Sequence, residues 1–136
     1  MKVLVDTPIW SLSLRRKIRP ENEPIRAELA ALVQDGRVAI IGPVRQELLS
    51  GIKERAQFER LRDHLRAFAN TPIAVEDYEE AASFFNLCRS RGLQGSNTDF
   101  LICALAVRNE FTIFTTDEDF TRFADILPIA LHSAGT

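Results

Sequence analysis

The chain begins Met-Lys-Val-Leu-Val-Asp-Thr (residues 1–7), an apolar run that stops at an acid, and Pro8 follows. A short apolar run ended by Asp-Thr-Pro predicts a buried strand, a sharp turn and then a helix. Proline fits the first turn of that helix, because its missing N–H costs nothing there. In an open α/β sheet, ligands bind outside the carboxyl ends of the strands. The pattern therefore places Asp6 at the edge where a functional site is expected.

Apolar strands and helical patterns alternate along the rest of the chain. Further strands are predicted at residues 38–41, 73–75, 111–115 and 126–131, and the tail at 133–136 is predicted to be loose. Residues 100–107 are apolar almost all round, which predicts the most buried helix. This alternation is typical of a parallel sheet with helices on both faces. We therefore predict an α/β fold with three α/β/α layers and a mostly parallel central sheet of about five strands.

Composition limits the classes of function. A length of 136 residues suits one domain, and a formal net charge of -2 argues against a chain that binds polyanions over its whole surface. The positive charge is uneven, with 14 Arg and 3 Lys, so a local patch for anions stays open. The two cysteines, Cys88 and Cys103, lie in apolar helical patterns and are predicted to be free thiols. With no signal-peptide pattern and no apolar span, these features predict a cytoplasmic protein without a membrane segment.

Four acids lie near the starts of predicted helices, namely Asp6, Glu47, Asp99 and Asp117. Helix capping explains the three aspartates when each is taken alone, and Glu47 alone would be a surface acid. Taken together, carboxylates at the strand ends of one sheet repel one another unless a cation lies among them. Oxygen ligands without His or Cys select Mg²⁺ or Mn²⁺, which can hold a phosphodiester and activate water.

Four segments carry a resemblance to a known family. They are VLVDT at 3–7, ELLSG at 47–51, DFLICA at 99–104 and TTDEDF at 115–120. In this order and spacing they look like the four signature segments of PIN-domain ribonucleases, especially the VapC-type toxins of toxin–antitoxin pairs. The likeness implies one PIN domain over residues 1–136, acting as a Mg²⁺- or Mn²⁺-dependent endoribonuclease. It also implies an RNA substrate, a cognate antitoxin protein and a homodimer.

The resemblance assigns roles by position. It makes metal ligands and catalytic residues of the four acids, Asp6, Glu47, Asp99 and Asp117. Asp119 becomes an auxiliary acid, and Thr7 and Thr116 fall where the family keeps a small hydroxyl residue. Two departures are visible, since Pro8 stands where Ser is common and Cys103-Ala104 replaces a more usual Ala pair. Neither departure removes an acid.

Two other classes of function remain open. A non-catalytic module that binds RNA or a protein would be expected to have lost one or more of the acids. A phosphatase with Asp6 as nucleophile would want a second acid where Pro8 stands. Neither histidine is a strong candidate for a general base, because His64 and His132 are both predicted to be surface residues. Trp10 is predicted to lie in the core or at a contact with a partner.

Overall fold

A computed structural model describes residues 1–133, so the predicted loose tail beyond Ser133 lies outside the described residues. The elements in chain order are β1 Val3–Val5, α1 Thr7–Ser13, a 3₁₀ turn Pro20–Asn22, α2 Glu23–Gln34, β2 Val38–Ala39, α3 Gly42–Leu49, α4 Arg55–Leu65, α5 Val75–Ser90, α6 Asn97–Asn109, β3 Thr112–Phe114 and α7 Asp119–Ala124. Among these residues, none of the helices is long and apolar enough to cross a membrane.

The sheet is parallel and has β1 in its centre. Its order is β2-β1-β3, with Leu4 of β1 paired to Ala39 on one side and to Ile113 on the other. The chain moves one way across the sheet from β1 to β2 and the other way from β2 to β3. Because such crossovers are right-handed, α1 and α2 lie on one face, and α5 and α6 on the other. The predicted α/β fold with a parallel sheet is confirmed, and the carboxyl ends of β1 and β3 lie side by side.

The prediction of about five strands is wrong, because the described residues form three. At 73–75 a helix begins instead of a strand, and pairing with the β2 side is limited to a single bridge at Asn70. Pro72 has no N–H to continue that pairing. Two residues further on, the N–H of Ala74 donates to Asp77 Oδ2 at 2.8 Å and so belongs to the start of α5.

The predicted last strand at 126–131 also shrinks to one bridge, between Leu131 and Ile113. The first two amides of the segment both turn back to the carbonyl of Phe123, at 3.0 and 2.7 Å. Pro128 then lacks an N–H for a ladder. Pairing with β3 is therefore possible only where the chain straightens near its end.

Helix α6 is the most buried helix, as predicted. Every residue from 100 to 106 is buried, and the helix packs against α5 and β3. Its start is held closely against the aromatic core: a Cβ on Gly95 would lie 2.7 Å from the ring of Phe123 and 3.0 Å from Phe100. A side chain at position 95 would require one of these rings to shift, so glycine allows the chain to pass close to the aromatic core just before α6 begins.

A buried ion pair joins the far end of α6 to the start of α5. The Arg108 guanidinium donates to both carboxylate oxygens of Asp77, at 2.5 and 2.7 Å, and to the carbonyl of Pro72 at 3.1 Å. Asp77 is 1% exposed, and the guanidinium holds its pKa below the usual range. We call these contacts the α5–α6 clamp.

Candidate active site

Asp6 ends β1 and caps α1, as its sequence pattern predicted. Its Oδ1 accepts the N–H of Thr7, and its Oδ2 accepts the hydroxyl of Thr115, both at 2.8 Å. Thr115 follows β3 directly, so the two neighbouring strand ends are tied together through this carboxylate. The side chain is buried, and its residue is only 4% exposed.

Asp99 lies in the first turn of α6, where it forms a capping box with Ser96. The Ser96 N–H donates to Asp99 Oδ2 at 3.0 Å, and the Asp99 N–H donates to the Ser96 hydroxyl at 3.1 Å. Capping and a place near Asp6 are therefore compatible, because Asp99 Oδ1 is not used by the box.

Asp117 lies in the loop after β3 and Asp119 begins α7, and the two acids differ in their partners. The Asp117 N–H donates to the Thr115 hydroxyl at 3.0 Å, and its Oδ1 accepts the N–H of Asp119 at 2.9 Å. Asp119 Oδ1 accepts from the Arg122 guanidinium at 2.9 Å in an exposed ion pair. Asp119 thus already has a cation of its own, whereas Asp117 has none.

Glu47 is exposed on α3, yet it is linked to the same cluster. Its Oε2 accepts the hydroxyl of Thr7 at 2.7 Å. Since the N–H of Thr7 is bonded to Asp6, one threonine connects the acid of α3 to the acid at the end of β1. The small hydroxyl residue after Asp6 therefore positions two carboxylates.

The electrostatics show that these acids face one another. Burial raises the pKa of Asp6 from 3.8 to about 6; the hydrogen bonds from Thr115 and Thr7 oppose that rise, and the charges of Asp99 and Asp117 add to it. At neutral pH, ionised Asp6 is therefore held in a costly environment.

The pKa of Asp99 is also raised. Burial is the largest cause that raises its pKa, its two hydrogen bonds with Ser96 oppose the rise, and the charges of Asp117 and Glu47 increase it. All four predicted acids thus belong to one electrostatic cluster, which we call the acid cluster. It carries no arginine or lysine that would offset its charge among the causes of either shift.

The donors of the acid cluster suit a hard divalent cation, since all of them are carboxylate or hydroxyl oxygens. Within residues 1–133, however, no three carboxylate, imidazole or thiolate groups are already placed to enclose an ion. The donor chemistry fits Mg²⁺ or Mn²⁺, and Asp99 and Asp117 are the acids whose charges act on Asp6.

Sequence reasoning missed one residue of the candidate site, Thr115, and wrongly placed His132 at the surface. Thr115, not the exposed Thr116, donates to Asp6, and only its position directly after β3 could have indicated it. His132 is not a surface residue: its side chain is 1% exposed and lies 2.7 Å from Glu28. Trp10 belongs to the core, at 1% exposure.

The departure at Cys103 leaves the site intact. The thiol is buried and free, and burial, followed by the charge of Asp99, raises its pKa. A thiol with a raised pKa stays neutral and behaves as a small apolar group. It fills space beneath the acid cluster without acting as a nucleophile.

The chain belongs to the PIN domain family, whose model matches residues 3–126. The family resemblance that the four sequence segments carry is confirmed. No curated protein sequence matches the chain.

Solved structures share the fold over nearly the whole chain. FitAcB from Neisseria gonorrhoeae has a TM-score of 0.77 at 21% identity, with 97% of each chain covered. VapBC2 from Rickettsia felis, bound to a DNA fragment from their promoter, has a TM-score of 0.76 at 20% identity, covering 97% of this chain and 98% of that one. VapBC-1 from nontypeable Haemophilus influenzae has a TM-score of 0.73 at 16% identity, with 100% of each chain covered. At these identities the likeness establishes the fold.

Proposed function

We propose that the chain is a single PIN domain over residues 1–136 that cleaves RNA as a Mg²⁺- or Mn²⁺-dependent endoribonuclease. PIN domains are generally nucleases, so the coarse class follows from membership of the family. The metal dependence and the RNA substrate rest on the acid cluster and on the sequence resemblance to VapC-type toxins.

Each acid has a role in this proposal. Asp6, Asp99 and Asp117 hold the ion directly, while Glu47 binds it directly or through water and orients the attacking water. When bound, the ion supplies charge neutralisation and a more acidic water. Thr7 positions Asp6 through its amide and Glu47 through its hydroxyl. Thr115 and Asp119 act as supports, and a role for Thr116 stays a prediction.

The observation that supports the proposal best is the state of Asp6. A buried carboxylate with a pKa raised to about 6, facing two further acids, is destabilising unless a cation arrives. Such arrangements are concentrated at functional sites. Helix capping alone would not require acids on four separate segments to affect one another's charge.

A cleavage assay with labelled RNA tests the proposal. We expect cleavage with Mg²⁺ or Mn²⁺, none with EDTA, and loss of cleavage in Asp6→Asn, Asp99→Asn and Asp117→Asn. Asp35→Asn is the matched control, because Asp35 is an exposed acid at the end of α2. Cleavage that persists in EDTA, or in Asp6→Asn, would contradict the proposal.

A second candidate function is a non-catalytic module that binds RNA or a protein. It draws support from the described residues, in which no three acids are already placed to enclose an ion. Calorimetric titration with Mn²⁺ separates the two candidates. Binding that is lost in Asp6→Asn and kept in Asp35→Asn supports the nuclease, whereas no binding together with RNA retention supports the module.

The biological context is also proposed. We propose the toxin of a toxin–antitoxin pair, because the structural relatives are VapBC and FitAB toxin–antitoxin complexes. A homodimer is proposed with it, and the exposed apolar Val75 and Tyr78, at 69% and 57%, are surface that self-association would cover. The buried free thiols Cys88 and Cys103 agree with a cytoplasmic location. Sedimentation measures the oligomeric state, and toxicity on expression measures the toxin role.

A further inference from the structure

A groove of about 700 Å³ lies between the end of α1 and the α3–α4 region. Arg15 and Arg16, which follow α1, and Arg60 of α4 line it together with the apolar Leu14, Leu48 and Leu61. None of the residues that line it is acidic. We call it the basic groove. It is a cationic surface on a chain whose formal net charge is -2.

The three arginines of the basic groove are uncommitted. Other arginines form ion pairs, for example Arg55 with Glu59 and Arg108 with Asp77. Among residues 1–133, the side chains of Arg15, Arg16 and Arg60 have neither an ion pair nor a hydrogen bond. These unpaired guanidinium groups, from two parts of the chain, are available to bind an anion, and planar guanidinium suits phosphate in particular.

The basic groove is continuous with the acid cluster along two elements. Ser11 lines the groove and lies four residues after Thr7, so both occupy one face of α1, about 5–6 Å apart. On α3, Leu48 of the groove directly follows Glu47 of the cluster. A chain lying in the groove therefore leads to the Thr7–Glu47 contact.

We infer that the basic groove binds the sugar–phosphate backbone of single-stranded RNA and leads it to the acid cluster. The inference rests on the proposed nuclease function, because the acids themselves repel a polyanion and need a nearby cationic surface to bring one in. Several arginines along one groove suit a repeating negative charge. The apolar part of the lining suits unstacked bases, which a double helix would hide.

Binding in EDTA tests the groove separately from catalysis. The probe is a fluorescein-labelled oligouridine of about 15 nucleotides, measured by anisotropy at increasing salt. The groove variant is Arg15→Gln, Arg16→Gln and Arg60→Gln in one chain. The control is Arg66→Gln, Arg89→Gln and Arg91→Gln, which removes the same charge from arginines that are also unpaired but lie outside the groove.

We expect the groove variant to bind about 10- to 100-fold more weakly near 0.1 M salt, and its salt slope to fall by about 2. The control, which loses the same charge as the groove variant, should bind within about twofold of the native chain. With metal, the groove variant should raise KM while leaving kcat almost unchanged. All six arginines are exposed, so thermal melting should show both variants folded.

The failures of the two proposals can be told apart. Groove-dependent binding without cleavage supports the groove and overturns the nuclease. Cleavage and binding that the groove variant leaves unchanged overturn the groove and leave the nuclease standing. If RNA binding is unchanged while a synthetic Glu- and Leu-rich helical peptide binds the native chain and not the groove variant, the groove belongs to a protein partner and the inference fails.

Discussion

Two charged side chains are buried in residues 1–133, and they have opposite environments. Asp77 is 1% exposed and receives the Arg108 guanidinium, which lowers its pKa. Asp6 is 4% exposed, receives an amide and a hydroxyl, faces other acids, and has its pKa raised to about 6. A carboxylate that the fold supplies with a cation holds helices together. One that the fold leaves without a cation is, in the function proposed above, where a cation from outside would bind.

The largest expected effect separates these acids by activity. Asp6→Asn should reduce the RNA cleavage rate by about 10³-fold or more, about 4 kcal/mol of transition-state stabilisation, because it removes a charged ligand. Asp77→Asn should keep kcat within about tenfold at a temperature where it is folded. Single-turnover cleavage measures both. Equal losses in the two folded variants would remove the distinction between the acids.

The free energy of unfolding should distinguish Asp77 from Asp6 in the opposite sense to the cleavage rate. Asp77→Asn should lower the free energy of unfolding by about 2 kcal/mol, because it weakens the buried partner of Arg108, whose own side chain is partly solvated. Asp63→Asn is the matched control, since its pair with Arg62 is exposed and should be worth less than about 0.5 kcal/mol. Urea unfolding gives both values. An unchanged midpoint for Asp77→Asn would mean that the α5–α6 clamp does not stabilise the fold.

The pH dependence tests the burial of Asp6 in the metal-free protein. A pKa of about 6 in the folded chain, against 3.8 as the ordinary value, means that the folded state binds the proton more tightly. The stabilising contribution of protonated Asp6 is therefore full below about pH 4 and is lost as the pH rises through about 6. Asparagine stays neutral, so in EDTA Asp6→Asn should be more stable than the native chain by about 1–2 kcal/mol at neutral pH.

Unfolding in urea from about pH 4 to about pH 8 measures this difference. The advantage of Asp6→Asn should shrink to near zero at the acid end. If the native chain instead gains stability over the variant as the pH rises, Asp6 is not in a costly environment. In a separate measurement, added Mg²⁺ should stabilise the native chain more than the variant, because only the native site retains all its carboxylates.

The smallest expected effect concerns two adjacent threonines. Thr115→Val removes the hydroxyl that donates to Asp6 and accepts from the Asp117 N–H, so it should cost about 1 kcal/mol of stability. It should also raise the pKa of Asp6 further and shift the acid limb of the cleavage profile upward. Thr116→Val, at an exposed neighbour, is the control and should change neither. The reverse result would support the role that the family resemblance gives to Thr116.

Much of the fold was predictable because its signals are local. The apolar run 3–5 ended by an acid predicts β1, and the all-round apolar helix predicts α6, without any knowledge of neighbours. The lengths of the other strands were not predictable, because they depend on whether individual backbone N–H groups are available to pair with the sheet. The N–H of Ala74 is taken by Asp77, and Pro72 and Pro128 have none to offer.

The site was predictable in part for a similar reason. The four acids could be proposed from their positions at strand and helix ends, and the family resemblance made the set specific. The hydroxyl of Thr115 and the burial of His132 come from contacts across more than a hundred residues. Propensity and periodicity carry no information about which of two adjacent threonines will face a carboxylate so far away in the chain.

The clamp has a mechanical consequence for the site. Arg108 and Asp99 lie at opposite ends of α6, about 13 Å apart at 1.5 Å per residue, and a helix of this length behaves as a stiff rod. The contacts of Arg108 with Asp77 and Pro72 attach that end of the rod to the start of α5. We therefore expect the separation of Asp99 and Asp6 to depend on an attachment that is remote from both. Substitutions at the anchored end can retune the width of the acid cluster without touching a single one of its oxygens.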